Sequence, residues 1–276
     1  MLICSAHSTR EASTRGGPTW HKEFLYRITD KAADGTTTIC DAGFDRYIRI
    51  RAVPRHKLRM IPNGVDTDVF KCSEHRRAHA RKALGLDSQF VWLAVGRMVV
   101  HKDYPTLFSA LSMLAEKNFT LLIAGDGPLE DTLRRDCIGR GLAHKVRFCG
   151  VCEDVAELYN AADAFVMSSE IEGMPMALLE AASMGLPAVV TDVGGNAEIV
   201  KNEISGFLVP PKNPAELAAA LRSVMHASPE RRRSMSRAAR QLCYERYRIA
   251  AIVEKWVDLY AECLKTPAVP AVDAVE

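Results

Sequence analysis

No run in this 276-residue chain approaches the ~20 consecutive apolar residues needed to cross a bilayer. The opening Met1-Leu2-Ile3-Cys4-Ser5-Ala6-His7 has no basic region ahead of a long apolar stretch, so no secretory signal is expected. Cysteine pairing is also missing. The eight cysteines (Cys4, Cys40, Cys72, Cys137, Cys149, Cys152, Cys243 and Cys263) are scattered, which suits reduced, mostly buried thiols in a cytosol. Only Cys149-Gly-Val-Cys152 has a motif-like spacing. No second pair or histidine at ligand spacing follows it, and it does not open a helix in a thioredoxin-like unit, so neither zinc nor redox chemistry is expected there. Charge of one sign is not in excess either: the net charge of +2 argues neither for nor against nucleic acid, and no nucleic-acid partner is expected. Repeats and low-complexity tracts are absent.

What is present is enough apolar sequence, 48% of residues, to bury a core in one large or two modest domains. The charge is uneven: residues 1–60 hold eleven Lys/Arg against six Asp/Glu. That leading segment is either an ordinary solvated helix surface or a face toward an anionic membrane or acceptor. The expected location is therefore cytoplasmic, with a peripheral position at the inner membrane face as an option.

From residue 90, short apolar runs alternate with amphipathic stretches. Strands are expected at 90–95, 119–124, 145–149, 164–167, 187–191 and 206–209, mostly continuous apolar runs of the kind buried on both faces. Helices are expected at 104–117, 128–139, 153–161, 175–184, 195–201 and 213–226. Prolines near their starts and Gly141 and Gly185 at two ends support the boundaries. Repeated β-α units of this kind predict an α/β fold, a Rossmann-like doubly wound parallel sheet. Residues 72–243 form this domain. Residues 1–61 look like the last part of another α/β domain, with a helix around 18–33, a strand at Thr36–Cys40, a helix at Gly43–Ala52 and a strand at Leu58–Ile61. Residues 62–71, opening on Pro62-Asn63-Gly64, read as a hinge. At the far end, 244–264 is a terminal helix packing back toward the leading domain, running over Tyr247–Leu264, and 265–276 is a disordered tail.

Ligands of such sheets bind beyond the carboxyl ends of the strands. After the first strand, Arg97 and Lys102 sit five residues apart on a loop entering a helix, well placed to grip a diphosphate. After the fourth come Glu172, then Gly173, Met174 and Pro175 opening a helix, then Glu180 a turn and a half inside it. A carboxylate within an apolar helix is costly to bury unless paired, and the vicinal hydroxyls of a ribose would pair with it. A third loop carries Gly194-Gly195. Asp66-Thr67-Asp68 matches a DxD metal motif, but lies in the hinge and reads as a chance match.

Together, IPNGVDTDVF, AVGRMVVHKD, LLIAGDGPLE, the pair Glu172-x7-Glu180 inside EGMPMALLEA, and GLPAVVTDVGGNAEIV resemble the retaining GT-B enzymes called glycosyl transferases group 1. The resemblance runs from about Leu58 to Ala220. It implies that Arg97 and Lys102 hold the leaving-group phosphates, that Glu180 takes the ribose hydroxyls, and that Glu172 with the Gly173–Met174–Pro175 backbone holds the donor sugar. Glu172, Arg97 and Lys102 are then the catalytic set, with no metal and no cofactor beyond the donor, expected to be a UDP-sugar. The implied reaction is transfer with retention to a saccharide or lipid-linked acceptor, as in polysaccharide biosynthesis. The family's first domain supplies the acceptor pocket, and this chain keeps only that domain's last part, so a missing N-terminal half or self-association is expected. The alternatives are a fragment that only binds nucleotide sugar and, remotely, a dinucleotide oxidoreductase, for which Gly125-Asp126-Gly127-Pro128-Leu129-Glu130 lacks the third glycine.

Overall fold

The computed structural model describes residues 2–6, 20–86, 88–115 and 118–265. His7, the stretch 7–19 and the expected tail beyond Lys265 lie outside them. The chain begins with β1 (Ile3–Ala6), α1 (Trp20–Thr29), β2 (Gly35–Thr38), α2 (Asp41–Arg49) and β3 (Leu58–Met60). These strands form a parallel sheet in the order β1-β2-β3. Cys40, expected as the end of a strand, is instead the N-cap of α2.

After α3 (Glu74–Leu84), six β-α units follow: β4 (Phe90–Val95) with α4 (Tyr104–Ser112), β5 (Phe119–Ala124) with α5 (Glu130–Gly139), and β6 (Val146–Gly150) with α6 (Val155–Ala161). The next three are β7 (Ala164–Met167) with α7 (Met176–Ser183), β8 (Ala188–Thr191) with α8 (Asn196–Ile199), and β9 (Gly206–Val209) with α9 (Pro214–Met225). All six strands are parallel, in the order β6-β5-β4-β7-β8-β9. Their side chains alternate between two cores, one per face. Trp92, Ala94, Leu121, Ile123, Val166 and Val189 enter one with Phe108 and Leu221. Leu93, Leu122, Phe165, Met167 and Val190 enter the other with Leu178 and Leu179. That double burial is why these strands read as unbroken apolar runs. Asp103, Asp154 and Asn213 cap α4, α6 and α9 with their side chains.

Three elements were not expected: β1, α3 and α10 (Pro229–Tyr247). α3 buries only Ala80 and is held by arginines rather than an apolar stripe. Arg76 pairs with Asp154 and Glu157, and Arg77 and Arg81 both pair with Asp163. α10 reads as polar and arginine-rich, with a narrow buried line of Met235, Ala239, Cys243 and Tyr247 at four-residue spacing. The expected boundary at 243/244 therefore falls inside α10, and the single expected last helix is preceded by it. α11 (Ile249–Lys265) follows, with Ile252 and Leu259 on Ile61 and Ile3. Among the described residues no helix is long and apolar enough to cross a membrane.

Candidate active site

The strand order reverses between β4 and β7, so the loops leaving these two strands diverge and open a crevice at the carboxyl edge. Both loops carry the charged residues singled out above. Lys102 Nζ lies 2.6 Å from Glu172 Oε1, a salt bridge that joins the β4 and β7 loops across the crevice, with side chains only 17% and 10% exposed. The loop from β4 is shaped by Asp103, whose left-handed backbone turns the chain into α4 while its side chain accepts from Thr106. Ser168 Oγ reaches the Lys102 and Asp103 carbonyls, and Glu170 N–H donates to the His101 carbonyl, so the β4 loop is tied to the β7 loop. Arg97 is exposed and forms no ion pair with any described residue. The structure brings Lys102 and Glu172 together and leaves Arg97 at the rim.

The loop from β7 to α7 is fixed from both sides. Met174 is buried, and its carbonyl accepts from Asn63 Nδ2 at 2.8 Å. The Gly173 carbonyl accepts from Gly195 N–H at 2.7 Å, which brings the Gly194-Gly195 loop against Glu172 and Gly173. Gly194 is left-handed, with φ 56°, and a Cβ there would sit on the Glu172 carbonyl oxygen. Only glycine allows that approach. Thr191 and Asn196 brace the same loop by hydrogen bonds to the Ser169 and Thr191 carbonyls.

Glu180 lies in α7, behind the loop, half-buried. Burial pushes its carboxyl above the ordinary glutamate value, opposed by a hydrogen bond from Tyr159, whose Oη is 2.8 Å from Oε2. Tyr159 was not singled out in the sequence, where it reads as one more apolar position of α6. At the neighbouring strand ends, Gly125 N–H donates to the Gly150 carbonyl, and Val151 beside it is exposed.

Two further motifs have these local surroundings. Asp66 Oδ1 accepts from Asp68 and Val69 N–H groups, capping its own turn. Cys149 and Cys152 are free thiols, raised by burial rather than activated.

A parallel sheet with a charged crevice at its switch point defines a doubly wound α/β fold of the kind that binds ligands at that edge. The family profile of glycosyl transferases group 1 matches residues 76–242, more than half of the chain, and the chain belongs to that family. It is 33% identical over 213 residues to an uncharacterized glycosyltransferase of Methanocaldococcus jannaschii, covering 75% of this chain and 54% of that protein. It is also 33% identical over 210 residues to the Escherichia coli UDP-Gal:alpha-D-GlcNAc-diphosphoundecaprenol alpha-1,3-galactosyltransferase, covering 73% of this chain and 53% of the other. The chain thus spans about half the length of these curated relatives. The fold matches that of Anabaena HepE in complex with UDP, with a TM-score of 0.86 at 21% identity, over 95% of this chain and 72% of the other.

Proposed function

We propose that this chain binds a nucleoside-diphosphate sugar, with UDP-sugars foremost, in the β4/β7 crevice and takes part in transfer of the sugar to a saccharide or lipid-linked acceptor hydroxyl. The observation that carries this reading is the Lys102–Glu172 pair at the switch point, with Glu180 behind it. The Escherichia coli relative acts on UDP-Gal by name, and HepE was solved with UDP and with UDP-glucose, which supports a UDP-sugar donor here.

In this reading Lys102 is neutralised by Glu172 until a diphosphate arrives and takes over the ammonium. Glu172 is then released toward the donor-sugar hydroxyls, beside the Gly173–Met174–Pro175 backbone. Arg97, exposed at the rim and in no ion pair among the described residues, adds a second cation. The two cations stabilise the negative charge that develops on the departing diphosphate. Glu180 accepts hydrogen bonds from the two ribose hydroxyls. For a reaction with retention, the bond from the anomeric carbon to the phosphate oxygen breaks. The acceptor oxygen bonds on the same face, and its proton passes to the leaving phosphate.

A second reading, donor binding with little transfer by the chain alone, is favoured by its span of about half its relatives' length and by exposed Phe24, Leu25 and Ile28 on α1. Acceptor positioning is worth several kcal/mol of barrier and would then come from a further N-terminal half or a second copy. A thermal-shift panel of UDP-, GDP- and ADP-sugars, followed by mass-spectrometric detection of transfer, tests both. A selective shift by UDP-sugars is expected. No shift with any nucleotide sugar overturns the donor site, and robust transfer by residues 1–276 alone overturns the second reading.

A further inference from the structure

Tyr159 is a buried ionisable group in contact with Glu180 to which the proposed function gives no task. Its side chain is 1% exposed. Phe70 meets the ring edge-on at 5.7 Å and Phe165 of β7 stacks at 6.4 Å and 21°, so the hydroxyl is held in one place. That hydroxyl lies 2.8 Å from Glu180 Oε2 and 2.9 Å from the Ala177 carbonyl oxygen. A phenol has one proton to give, and a carbonyl can only accept. With Glu180 ionised, the proton points to the carboxylate. With Glu180 protonated, the carboxyl donates to the phenol oxygen and the phenol proton turns to Ala177. Both states are satisfied, but only the first leaves Glu180 an acceptor-only group with Oε1 turned away from Tyr159.

We propose that Tyr159 is a positioning residue for nucleotide binding: its hydroxyl orients the Glu180 carboxylate toward a vicinal diol such as a ribose and holds it in the acceptor-only form. The inference rests on the reading of Glu180 given under Proposed function. Two further observations support it. Burial drives Glu180 toward the protonated state, and the Tyr159 hydrogen bond opposes that drive. Three ionisable groups on elements packed against α7 are engaged with partners other than Glu180. Cys243 and Arg240 of α10 donate to the Leu179 and Ser183 carbonyls, and Glu198 of α8 accepts from Asp41 N–H.

The test is calorimetric titration with UDP between pH 5 and pH 8.5 of the wild type, Tyr159→Phe, Glu180→Ala and the double variant. Affinity should rise with pH as Glu180 ionises. Tyr159→Phe should bind roughly tenfold more weakly at neutral pH, as for loss of a hydrogen bond to a charged group, and its rise should move to higher pH. In the Glu180→Ala background the same substitution should change nothing. A fluorinated tyrosine at 159, a stronger donor of nearly the same shape, should move the rise to lower pH without disturbing the ring's neighbours. A merely structural tyrosine would lower thermal stability and leave the pH profile in place. Superposable profiles for wild type, phenylalanine and fluorotyrosine proteins, with Glu180→Ala weakened, would overturn the role of Tyr159 alone. If Glu180→Ala binds UDP as tightly as wild type, or if UDP does not bind at all, the ribose reading falls and this inference with it.

Discussion

The two parallel sheets of this chain bury their strands in different ways. The six-stranded sheet is covered on both faces, and its strands bury Trp92, Leu93, Leu121, Leu122, Phe165 and Val189 essentially completely. The three-stranded sheet has the sequence Gly35-Thr36-Thr37-Thr38 as its central strand and, among the described residues, a core of Tyr47, Ala52, Val53 and Leu58 with a few half-buried neighbours. Thr37 and Thr38 are buried, and among the described residues their hydroxyls have no hydrogen-bond partner. Beside them α1 leaves Phe24, Leu25 and Ile28 exposed. One sheet is therefore sealed on both faces and can hold tightly constrained loops, while the other has a small apolar core among the described residues. The crevice sits on the first.

The strongest way to break this comparison is Gly194→Ala. The methyl would meet the Glu172 carbonyl, and alanine is strained at φ 56°. We expect a loss of about 3 kcal/mol in urea unfolding, with the crevice loops distorted. A loss within experimental error of zero would mean that the loop is not held as rigidly as the hydrogen bonds around Gly173 indicate.

A pair of identical changes sharpens the contrast. Thr191 Oγ1 donates to the Ser169 carbonyl at 2.6 Å in a buried site, so Thr191→Val should cost roughly 1–2 kcal/mol. Thr37→Val removes a buried hydroxyl that has no partner among the described residues and should stabilise by up to about 1 kcal/mol. Chemical denaturation of the two variants should therefore give opposite signs; equal signs would erase the difference between the sheets.

The smallest effect is expected at the junction of the two regions. Glu198 of α8 accepts a hydrogen bond from Asp41 N–H at the start of α2, and burial pushes its carboxyl up to about 6. A carboxyl raised above its unfolded value favours the fold most when protonated. Its contribution is therefore full below about pH 4.5 and is lost as pH rises through 6. Glu198→Gln keeps an acceptor and removes the charge. It should flatten stability between pH 4.5 and 6 and raise it at pH 7–8 by less than about 1 kcal/mol, because the group is partly solvated. Thermal unfolding across that range checks it.

The same contrast governs how much was legible in the residues. β4, β5, β7 and β8 are nearly continuous apolar runs because both faces are buried, and such runs carry their own boundaries to within a residue or two. α3 was illegible because Arg76, Arg77 and Arg81 hold it through acids distant in sequence. α10 buries a stripe too narrow to stand out among arginines. At the crevice, Lys102, Glu172 and Glu180 could be picked by residue type and by resemblance. That Lys102 and Glu172 hold each other depends on the strand order, which places β4 beside β7. Tyr159 was hidden for the same reason: its ring belongs to the core, and only its hydroxyl belongs to the site.

The measurement closest to the central claim is calorimetric titration of UDP with the wild type, Lys102→Ala and Glu172→Gln, each with and without a metal chelator. Binding is expected in the presence of the chelator, with at least tenfold weakening in Lys102→Ala, as for loss of a charge-assisted contact. In Glu172→Gln, UDP should bind as tightly as wild type or tighter, because Lys102 no longer has to leave its carboxylate. Binding abolished by the chelator, or unchanged in Lys102→Ala, would contradict it.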